Sequence, residues 1–401
     1  MMFTNKRLLI LGAGRGQVGL IKTAKEMGIC TIVGTMPNNN PPGISLADEV
    51  CHMDISNPDE VLTKSKVLEL DGIATCCLDT GVTSLGKSCE QLDFPGLSEN
   101  AAVLCQDKLK MKTALMENGV STAKFFKVST EEELSQCLQD LMLPVIIKAT
   151  DLQGSKGIYI AHTTEEAIEG FRNSMLDTKR DYCIIEEFIE GWEFGAQSFI
   201  YNGEILFVLP HGDDTFMSHT AIPVGHYVPI ECSEDILRQT EECVRSSIKA
   251  LGLDNCAVNV DLIVRDGKVY IIELTGRVGA NCLPELVSIN FGINYYEMIS
   301  AMAIGEDPRQ IWEKRNKKPK AGLAKMLFSE NESGILKNIA YTGLMDEDIL
   351  EISFFVKPGD EIRVFESSND CIGQVIVKGN TYEECVEKLA NIEKKIVIEL
   401  I

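Results

Sequence analysis

The sequence lacks several features that would each place a protein in a broad class. No apolar run reaches the roughly 18 residues of a membrane span. Neither C-x-x-C nor H-E-x-x-H occurs among its 14 cysteines and 5 histidines. Basic residues are comparatively few, since 38 Lys and Arg face 60 Asp and Glu and leave a net charge of −22, which disfavours a nucleic-acid-binding surface. We therefore expect no nucleic acid and no membrane among the partners, and no zinc site.

The cysteines also lack the pattern of a disulfide framework. They are scattered singly apart from Cys76-Cys77, and the N-terminal apolar stretch is too short for a signal peptide. Reduced thiols and a cytoplasmic location are the expectation. A chain of 401 residues, 45% of them hydrophobic, is long enough for about two to four domains with substantial cores.

Strands and helices alternate to about residue 95, which predicts a parallel α/β unit. Within it, Gly14-Arg15-Gly16-Gln17-Val18-Gly19 fits G-x-G-x-x-G between a strand at 7–11 and a helix at 17–27. A nicotinamide-binding turn needs an acidic residue near the end of the second strand, and residues 32–36 contain none. A Rossmann dehydrogenase is therefore disfavoured, and the turn equally suits the packing of a helix on a strand.

A predicted β-hairpin at residues 258–277 carries two carboxylates, Asp261 and Glu273, around an Asp266-Gly267 turn. A two-residue loop would pair Asp261 with Ile272 and place Glu273 on the opposite face. A three-residue loop would place both acids on one face, together with Asn259 and Thr275. Two carboxylates on one face suit Mg²⁺, which bridges protein oxygens to phosphates. Two unrelated acids on a solvated face are the alternative.

Two further segments contain elements that suit a nucleotide. The apolar strand at 143–148 ends in Lys148 and is followed by Gln153-Gly154-Ser155-Lys156-Gly157. Such a loop between strands can close backbone N–H groups over phosphates, although an ordinary glycine hairpin has the same pattern. Residues 183–193 form an apolar strand that breaks into an acidic hinge. A hinge offers backbone groups to a base edge and carboxylates to ribose hydroxyls, and a solvated strand end is the alternative.

Taken in order from Asp107-Lys108 to Arg277, these elements resemble the ATP-grasp superfamily of carboxylate–amine ligases over about residues 5–310. The resemblance implies a mixed α/β and α+β fold, the ATP-grasp fold. It also implies a Rossmann-like domain at 1–95 and an ATP-grasp domain at 96–320, with a lid at about 120–190. A small β-rich domain follows at 321–401, and its tail is predicted to end in a helix at 381–394.

The resemblance also implies roles for individual residues. Lys108 and Lys148 would contact ATP phosphates, Asp261 and Glu273 would hold Mg²⁺ or Mn²⁺, and Arg277 would stabilise an acyl-phosphate. Arg277 and Lys148 are thus the expected catalytic residues. The remaining predicted ATP contacts are the lid residues Gly154, Ser155, Lys156 and Gly157, the adenine contacts Glu186, Glu187 and Ile189, and the ribose contact Glu193.

The metal strand departs from the family pattern at two positions. Thr275 stands where the family usually has Asn, and Asp261 stands where many members have Glu. Asn259 or Asn281 is available to compensate for the weaker threonine ligand.

The implied function is an Mg-ATP-dependent ligase that joins a carboxylate to an amine and releases ADP and phosphate. Similarity of the tail to L-amino-acid ligases favours an amino acid as the carboxylate. His226 and Asn281 are the candidate substrate residues, with a plain loop histidine as the alternative for His226. A phosphoribosylglycinamide-synthetase-type or carbamoyl-phosphate-synthase-like enzyme, and an ATP-binding protein without ligase activity, are the alternatives. Small-molecule substrates and a homodimer are the expected partners.

Overall fold

A computed structural model describes residues 3–37, 40–152, 157–217 and 221–401. Their contacts divide the chain into two units. The first contains the chain up to Val208, together with Cys232–Val278 and Ile299–Asp307. The second contains Leu209–Glu231, Gly279–Met298 and Pro308–Ile401. The three-domain division at residues 95 and 320 stays a prediction.

The first unit begins with four parallel strands in the order β3-β2-β1-β4. These strands are β1 (Arg7–Leu11), β2 (Cys30–Thr35), β3 (Glu49–His52) and β4 (Gly72–Ala74). The helices between and after them are α1 (Val18–Glu26), α2 (Pro58–Ser65) and α3 (Val82–Leu92). In the central strand β1, residues 8–11 are apolar and fully buried, as the inner strand of a parallel sheet requires. The predicted parallel α/β unit is confirmed.

The glycine turn after β1 packs against the loop that follows β4. The Gln17 side chain donates to the Cys76 carbonyl at 2.6 Å and accepts from the Gly14 N–H at 2.9 Å. A Cβ atom on Gly16 would lie 2.7 Å from the Cys77 Cβ, so the close approach requires glycine. Asp48, the first acidic residue after β2, accepts from the Thr31 N–H at 3.0 Å and supports the strand itself.

Two helices lead from this sheet into the rest of the first unit, α4 (Glu99–Gln106) and α5 (Lys108–Glu117). Asp107 caps α5, since its carboxylate accepts from the N–H groups of Leu109 and Lys110 at 3.0 and 3.2 Å. The cap fixes Lys108 as the first residue of the helix.

Two antiparallel sheets complete the first unit. One has the order β5-β8-β6-β7 and its own apolar core. Its elements are β5 (Phe125–Val128), α6 (Glu131–Cys137), β6 (Val145–Lys148), β7 (Ile158–Ala161), α7 (Thr164–Asp177) and β8 (Cys183–Glu187). In the other, β12 lies between β9 and β13. Its elements are β9 (Trp192–Tyr201), α8 (Glu234–Leu251), β12 (Cys256–Arg265) and β13 (Lys268–Thr275).

The second unit is mainly antiparallel sheet. Its larger sheet has the order β10-β11-β14-β18-β16, and its smaller sheet has the order β17-β15-β19. The strands are β10 (Glu204–Met217, which begins in the first unit), β11 (Ala221–Val228), β14 (Ala321–Leu327), β15 (Gly334–Tyr341), β16 (Ile349–Phe354), β17 (Glu361–Ile362), β18 (Gly373–Gly379) and β19 (Ile396–Leu400). The helices are α9 (Leu283–Phe291), α10 (Tyr295–Ala303, which ends in the first unit), α11 (Arg309–Trp312) and α12 (Tyr382–Glu393).

The tail corrects one prediction. The helix expected at 381–394 is present as α12, but the tail does not end with it, because β19 follows and pairs with β15. Among the described residues, no helix combines the length and the apolar character needed to cross a membrane.

Candidate functional site

The hairpin of β12 and β13 gains one residue on its second strand. Asp266 and Gly267 have φ values of 51° and 75°, as a two-residue type I′ turn requires. Beyond the turn the ladder is regular until Ile272, where the register shifts and Asp261 comes to lie opposite Glu273. Neither predicted register is therefore correct. The loop has two residues, and the bulge, rather than a longer loop, places both acids on one face.

The face that carries the two acids is rich in oxygen ligands. The Asn259 side chain donates to Asp261 Oδ1 at 3.1 Å and accepts from Gln197 Nε2 at 2.6 Å. Thr275 lies opposite Asn259. Its hydroxyl is buried without a hydrogen-bond partner among the described residues. Carboxylate and amide oxygens on one rigid strand pair are the ligand types that Mg²⁺ prefers.

Lys108 connects helix α5 to this face. Its ammonium group lies 3.4 Å from Glu273 Oε2 and donates to the Leu152 carbonyl at 3.1 Å. The two residues are far apart in sequence, and the capped start of α5 places the lysine at the acid pair. A cation therefore lies beside the candidate metal ligands.

A second charged cluster lies at the end of β8. Lys112 and Lys148 approach the same oxygen of Glu186, with Nζ–Oε2 distances of 2.9 and 3.3 Å. All three side chains are buried. Burial alone would raise the pKa of Glu186, but the two ammonium groups outweigh it and hold that pKa below its usual value. The other oxygen, Oε1, has no hydrogen-bond partner among the described residues.

The sequence did not single out Lys112. It lies four residues after Lys108 on α5, so both lysines lie on one face of the helix. Like charges at this spacing are unfavourable unless carboxylates face them. The spacing of the two lysines is therefore the sequence signal that indicates a carboxylate near Lys112. Its ammonium group also donates to Thr122 Oγ1 at 2.8 Å, and that hydroxyl donates to the Ile271 carbonyl at 2.9 Å.

Arg277 follows β13 and forms a two-pronged ion pair with Asp79. Its Nε donates to Asp79 Oδ1 at 2.8 Å, its Nη2 contacts Oδ2, and its Nη1 donates to the Val278 carbonyl at 3.1 Å. Burial alone would lower the pKa of Arg277, but Asp79 outweighs it and raises that pKa. The guanidinium is therefore charged and held in one orientation.

The predicted adenine hinge joins β8 to β9. The Glu187 N–H donates to the Lys124 carbonyl at 3.0 Å, so it is not available to a base edge. Ile189 is half-buried and Glu193 is exposed. The predicted glycine loop ends at Gly157, which has a φ of 65°. Gly154, Ser155 and Lys156 lie outside the described residues.

The predicted substrate residues His226 and Asn281 belong to the second unit. His226 is not in a loop, because it lies in β11 and is buried. Its Nδ1 lies 2.6 Å from Asp213 Oδ1, and the Nδ1 of His211 lies 2.9 Å from the same oxygen. Asn281 has a φ of 53°, in the left-handed region.

His211, Asp213 and His226 are a donor set that zinc accepts. Tetrahedral zinc with bonds of about 2.0–2.1 Å would hold its ligand atoms roughly 3.3 Å apart. The observed Nδ1–Oδ1 distances of 2.9 and 2.6 Å are instead those of hydrogen bonds. The arrangement is a hydrogen-bonded triad in which one carboxylate oxygen accepts from two imidazoles.

Known proteins resemble the whole chain. The crystal structure of phosphoribosylglycinamide synthetase from Anaerococcus prevotii is 59% identical, with a TM-score of 0.89, and the match covers 99% of this chain and 100% of that one. The chain belongs to the ATP-grasp superfamily of carboxylate–amine ligases. Two family profiles match parts of it. The ATP-grasp (A) domain of phosphoribosylglycinamide synthetase matches residues 106–218, and the L-amino acid ligase C-terminal domain 2 matches residues 328–400.

Two relatives of this ATP-grasp protein are more distant. Alanine–anticapsin ligase of Bacillus subtilis is 26% identical over 64% of this chain and 60% of its own length. The chain thus spans about three-fifths of that relative. Phosphoribosylamine–glycine ligase of Streptococcus pneumoniae is 27% identical over 76% of each protein. The predicted family and fold class are confirmed.

The described residues of this ATP-grasp protein fit a nucleotide and a divalent metal. The buried Glu186 Oε1 and Thr275 hydroxyl have no partner within the described chain, and such groups are costly unless a ligand satisfies them. The cluster around Glu186 holds two ammonium groups against one carboxylate, so it suits an added anion.

Proposed function

We propose that this protein is an Mg-ATP-dependent ligase. It transfers the γ-phosphoryl group of ATP to the carboxylate of an amino acid, which forms an acyl-phosphate and releases ADP. An amine then attacks the acyl carbon and displaces phosphate. The observation that carries this proposal is the pairing of Asp261 with Glu273 beside Lys108. Phosphoryl transfer needs charge neutralisation and positioning more than covalent help from the protein, and this arrangement offers both.

Asp261 and Glu273 would hold Mg²⁺, with Thr275 or Asn259 as a further oxygen ligand. The metal, when bound, would neutralise charge on the phosphates. Lys108 and Lys148, whose ammonium groups lie 3.4 Å from Glu273 Oε2 and 3.3 Å from Glu186 Oε2, would bind the phosphates directly. Gly154, Ser155, Lys156 and Gly157 would bind the phosphates, as the sequence predicts.

Glu186 would accept a hydrogen bond from the exocyclic amino group of adenine through its unpartnered Oε1. Backbone groups of Ile189 and Glu187 would border the base, although the Glu187 N–H is already bonded to Lys124. Glu193 would accept from ribose hydroxyls. The adenine and ribose contacts predicted from the sequence therefore remain proposals, except that the Glu187 N–H is not proposed to bind the base.

Arg277 would stabilise the acyl-phosphate. Asp79 and the Val278 carbonyl occupy only some of its N–H groups, and the rest can bind an oxyanion. Because Asp79 fixes the guanidinium plane, the remaining donors keep their direction during the reaction. His226 and Asn281 remain the proposed contacts to the substrates.

The two candidate reactions share the carboxylate and differ in the amine. Phosphoribosylglycinamide is an amide of glycine, so a synthetase of that name also activates an amino-acid carboxylate. The 59% identity to such a synthetase favours phosphoribosylamine as the amine. The match of residues 328–400 to an L-amino acid ligase domain favours the amino group of a second amino acid as the other candidate.

ADP release with Mg-ATP tests both candidates. Glycine with phosphoribosylamine and pairs of amino acids would be compared, and the products identified by mass spectrometry. ADP and phosphoribosylglycinamide would establish the first reaction, and ADP with a dipeptide would establish the second. Nucleotide binding without ADP release on any pair would indicate an ATP-binding protein without ligase activity. The proposed homodimer is checked by light scattering.

Glu273→Gln should lower ADP formation by at least about 100-fold, because losing a metal-ligand carboxylate removes charge that phosphoryl transfer needs. Glu273 is partly exposed on the hairpin face, so the melting temperature should remain near that of the wild type. Glu193→Gln, at an exposed position near the start of β9, is the comparison variant for a ribose contact, with a smaller expected loss. A Glu273→Gln protein with unchanged turnover would remove Glu273 from the metal site.

A further inference from the structure

The cluster around Glu186 contains one more lysine than an ion pair needs. Lys148 alone would balance the carboxylate, yet Lys112 lies closer, at 2.9 Å against 3.3 Å for Lys148. Lys112 is only 2% exposed, and burying a second charge has a free-energy cost that its partners must offset. A buried lysine in excess of charge balance points to a role other than stability.

The contacts of Lys112 extend beyond Glu186. Its ammonium group donates to the Thr122 hydroxyl at 2.8 Å, and Thr122 donates to the Ile271 carbonyl at 2.9 Å. Ile271 directly precedes the bulge that aligns Asp261 with Glu273. Its ammonium group is also 5.9 Å from the ring centroid of Phe125, which pairs with Glu186 on the neighbouring strand. Lys112 thus joins β8 to β13 inside the first unit.

Both lysines approach Oε2 of Glu186, while Oε1 has no partner in the described part of the chain. Without Lys112, Lys148 would be the sole counter-ion of a buried carboxylate. Coulombic attraction in such a place is strong, so Lys148 would be held by Glu186 and less available to a second anion. Burial lowers the pKa of Lys112, although the Glu186 carboxylate opposes that shift. With Lys112 protonated, the three groups carry a net positive charge that a phosphate can neutralise.

We propose that Lys112 is a positioning residue for nucleoside triphosphate binding. It neutralises Glu186 and so leaves Lys148 available to a phosphate oxygen, while it holds the carboxylate with Oε1 directed away from the lysines. This inference rests on the proposed function. Lys112 does not itself contact the nucleotide in this scheme.

Lys112→Met is the first test. The variant keeps a one-to-one pair of Lys148 and Glu186 in place of the triad, so the fold should persist. We expect the dissociation constant of Mg-ATP, measured by calorimetry, to rise about 10- to 100-fold, the range seen when a residue that orients a ligand is removed. The KM for ATP should rise with it, and kcat should change less. Lys110→Met removes an exposed lysine of the same helix and should bind like the wild type.

A double variant separates positioning from direct contact. Adding Glu186→Gln to Lys112→Met removes the carboxylate that would capture Lys148, and glutamine keeps an acceptor oxygen. The double variant should therefore bind Mg-ATP more tightly than Lys112→Met, to within about fivefold of the wild type, since the two sites are coupled.

Three results would overturn the inference. Binding by Lys112→Met that matches Lys110→Met would show that Lys112 has only a structural role. A double variant as weak as Lys112→Met, or weaker, would show that Lys112 contacts the nucleotide directly. A wild-type protein that binds no nucleotide would overturn the proposed function as well, which distinguishes that failure from the other two.

Discussion

Two carboxylates in this chain, the buried Glu186 and the half-buried Asp213, are each shared by two nitrogen bases, one in each unit. Glu186 receives Lys112 and Lys148 at one oxygen, and Asp213 receives His211 and His226 at one oxygen. Lysines are charged near neutral pH, whereas imidazoles can bind as neutral donors. The same connectivity therefore produces a cationic cluster that suits a polyanion at Glu186. At Asp213 it produces a cluster that satisfies its own hydrogen bonds.

Removal of the carboxylate should have its largest effect at Glu186. Glu186→Gln leaves two buried ammonium groups without a counter-ion, and breaking a buried pair in this way costs about 3–5 kcal/mol. Chemical denaturation measures the loss, and Mg-ATP should restore part of it because its phosphates supply the missing negative charge. Glu187→Gln at the adjacent, more exposed position should change stability by less than about 0.5 kcal/mol. A cost at Glu186 equal to that control would mean that the two lysines are not both charged.

The equivalent change in the second unit should cost less. Asp213→Asn keeps an acceptor oxygen and leaves imidazoles rather than ammonium groups, so we expect a loss of about 1–3 kcal/mol, as for one poorly satisfied buried polar group. The same denaturation experiment applies, with Asp214→Asn on the same strand as the control. A loss as large as that of Glu186→Gln would indicate that both imidazoles are charged, and the contrast between the clusters would disappear.

The pH dependence of stability should show the smallest difference. Burial lowers the pKa of His211 in the folded protein, although Asp213 opposes that shift. The unfolded chain, with a histidine pKa of about 6.5, then binds this proton more readily than the folded one. The contribution of His211 to the free energy of unfolding is therefore fully present above about pH 6.5. It decreases as the pH falls below that value, by at most about 1.4 kcal/mol per pH unit.

His211→Gln should flatten this decrease between about pH 6.5 and pH 5. His162→Gln, which removes an exposed histidine in the first unit, should leave the slope unchanged. Denaturation midpoints across that range give the comparison. Identical slopes in the wild type and in His211→Gln would show that His211 has the same proton affinity in both states.

The sequence predicted those parts of the fold and site that depend on local patterns. The parallel unit followed from alternating strands and helices. The partner of Arg277 could not be predicted, because Asp79 lies 198 residues away along the chain and no local pattern joins them. The triad of His211, Asp213 and His226 was missed because its members lie on two strands whose pairing the sequence does not specify.

The shared face of Asp261 and Glu273 was predicted for a reason that proved wrong. Both acids were expected on one face through a longer turn, whereas a bulge at Ile272 places them there. A hydrophobic pattern constrains which face is buried but not where an extra residue enters a ladder. Lys112 was overlooked because a lysine on a helix is usually exposed, and only its spacing from Lys108 indicated otherwise.

The bulge also limits how the hairpin can change in evolution or in design. A point substitution in either strand leaves all the remaining side chains on their original faces. In contrast, the loss or gain of one residue between the turn and Glu273 moves that acid to the opposite face of the sheet. A graft of this candidate metal-binding segment into another scaffold must therefore keep its length as well as its acidic residues. The same holds for comparisons among relatives, where an alignment gap near Ile272 is more informative than a substitution.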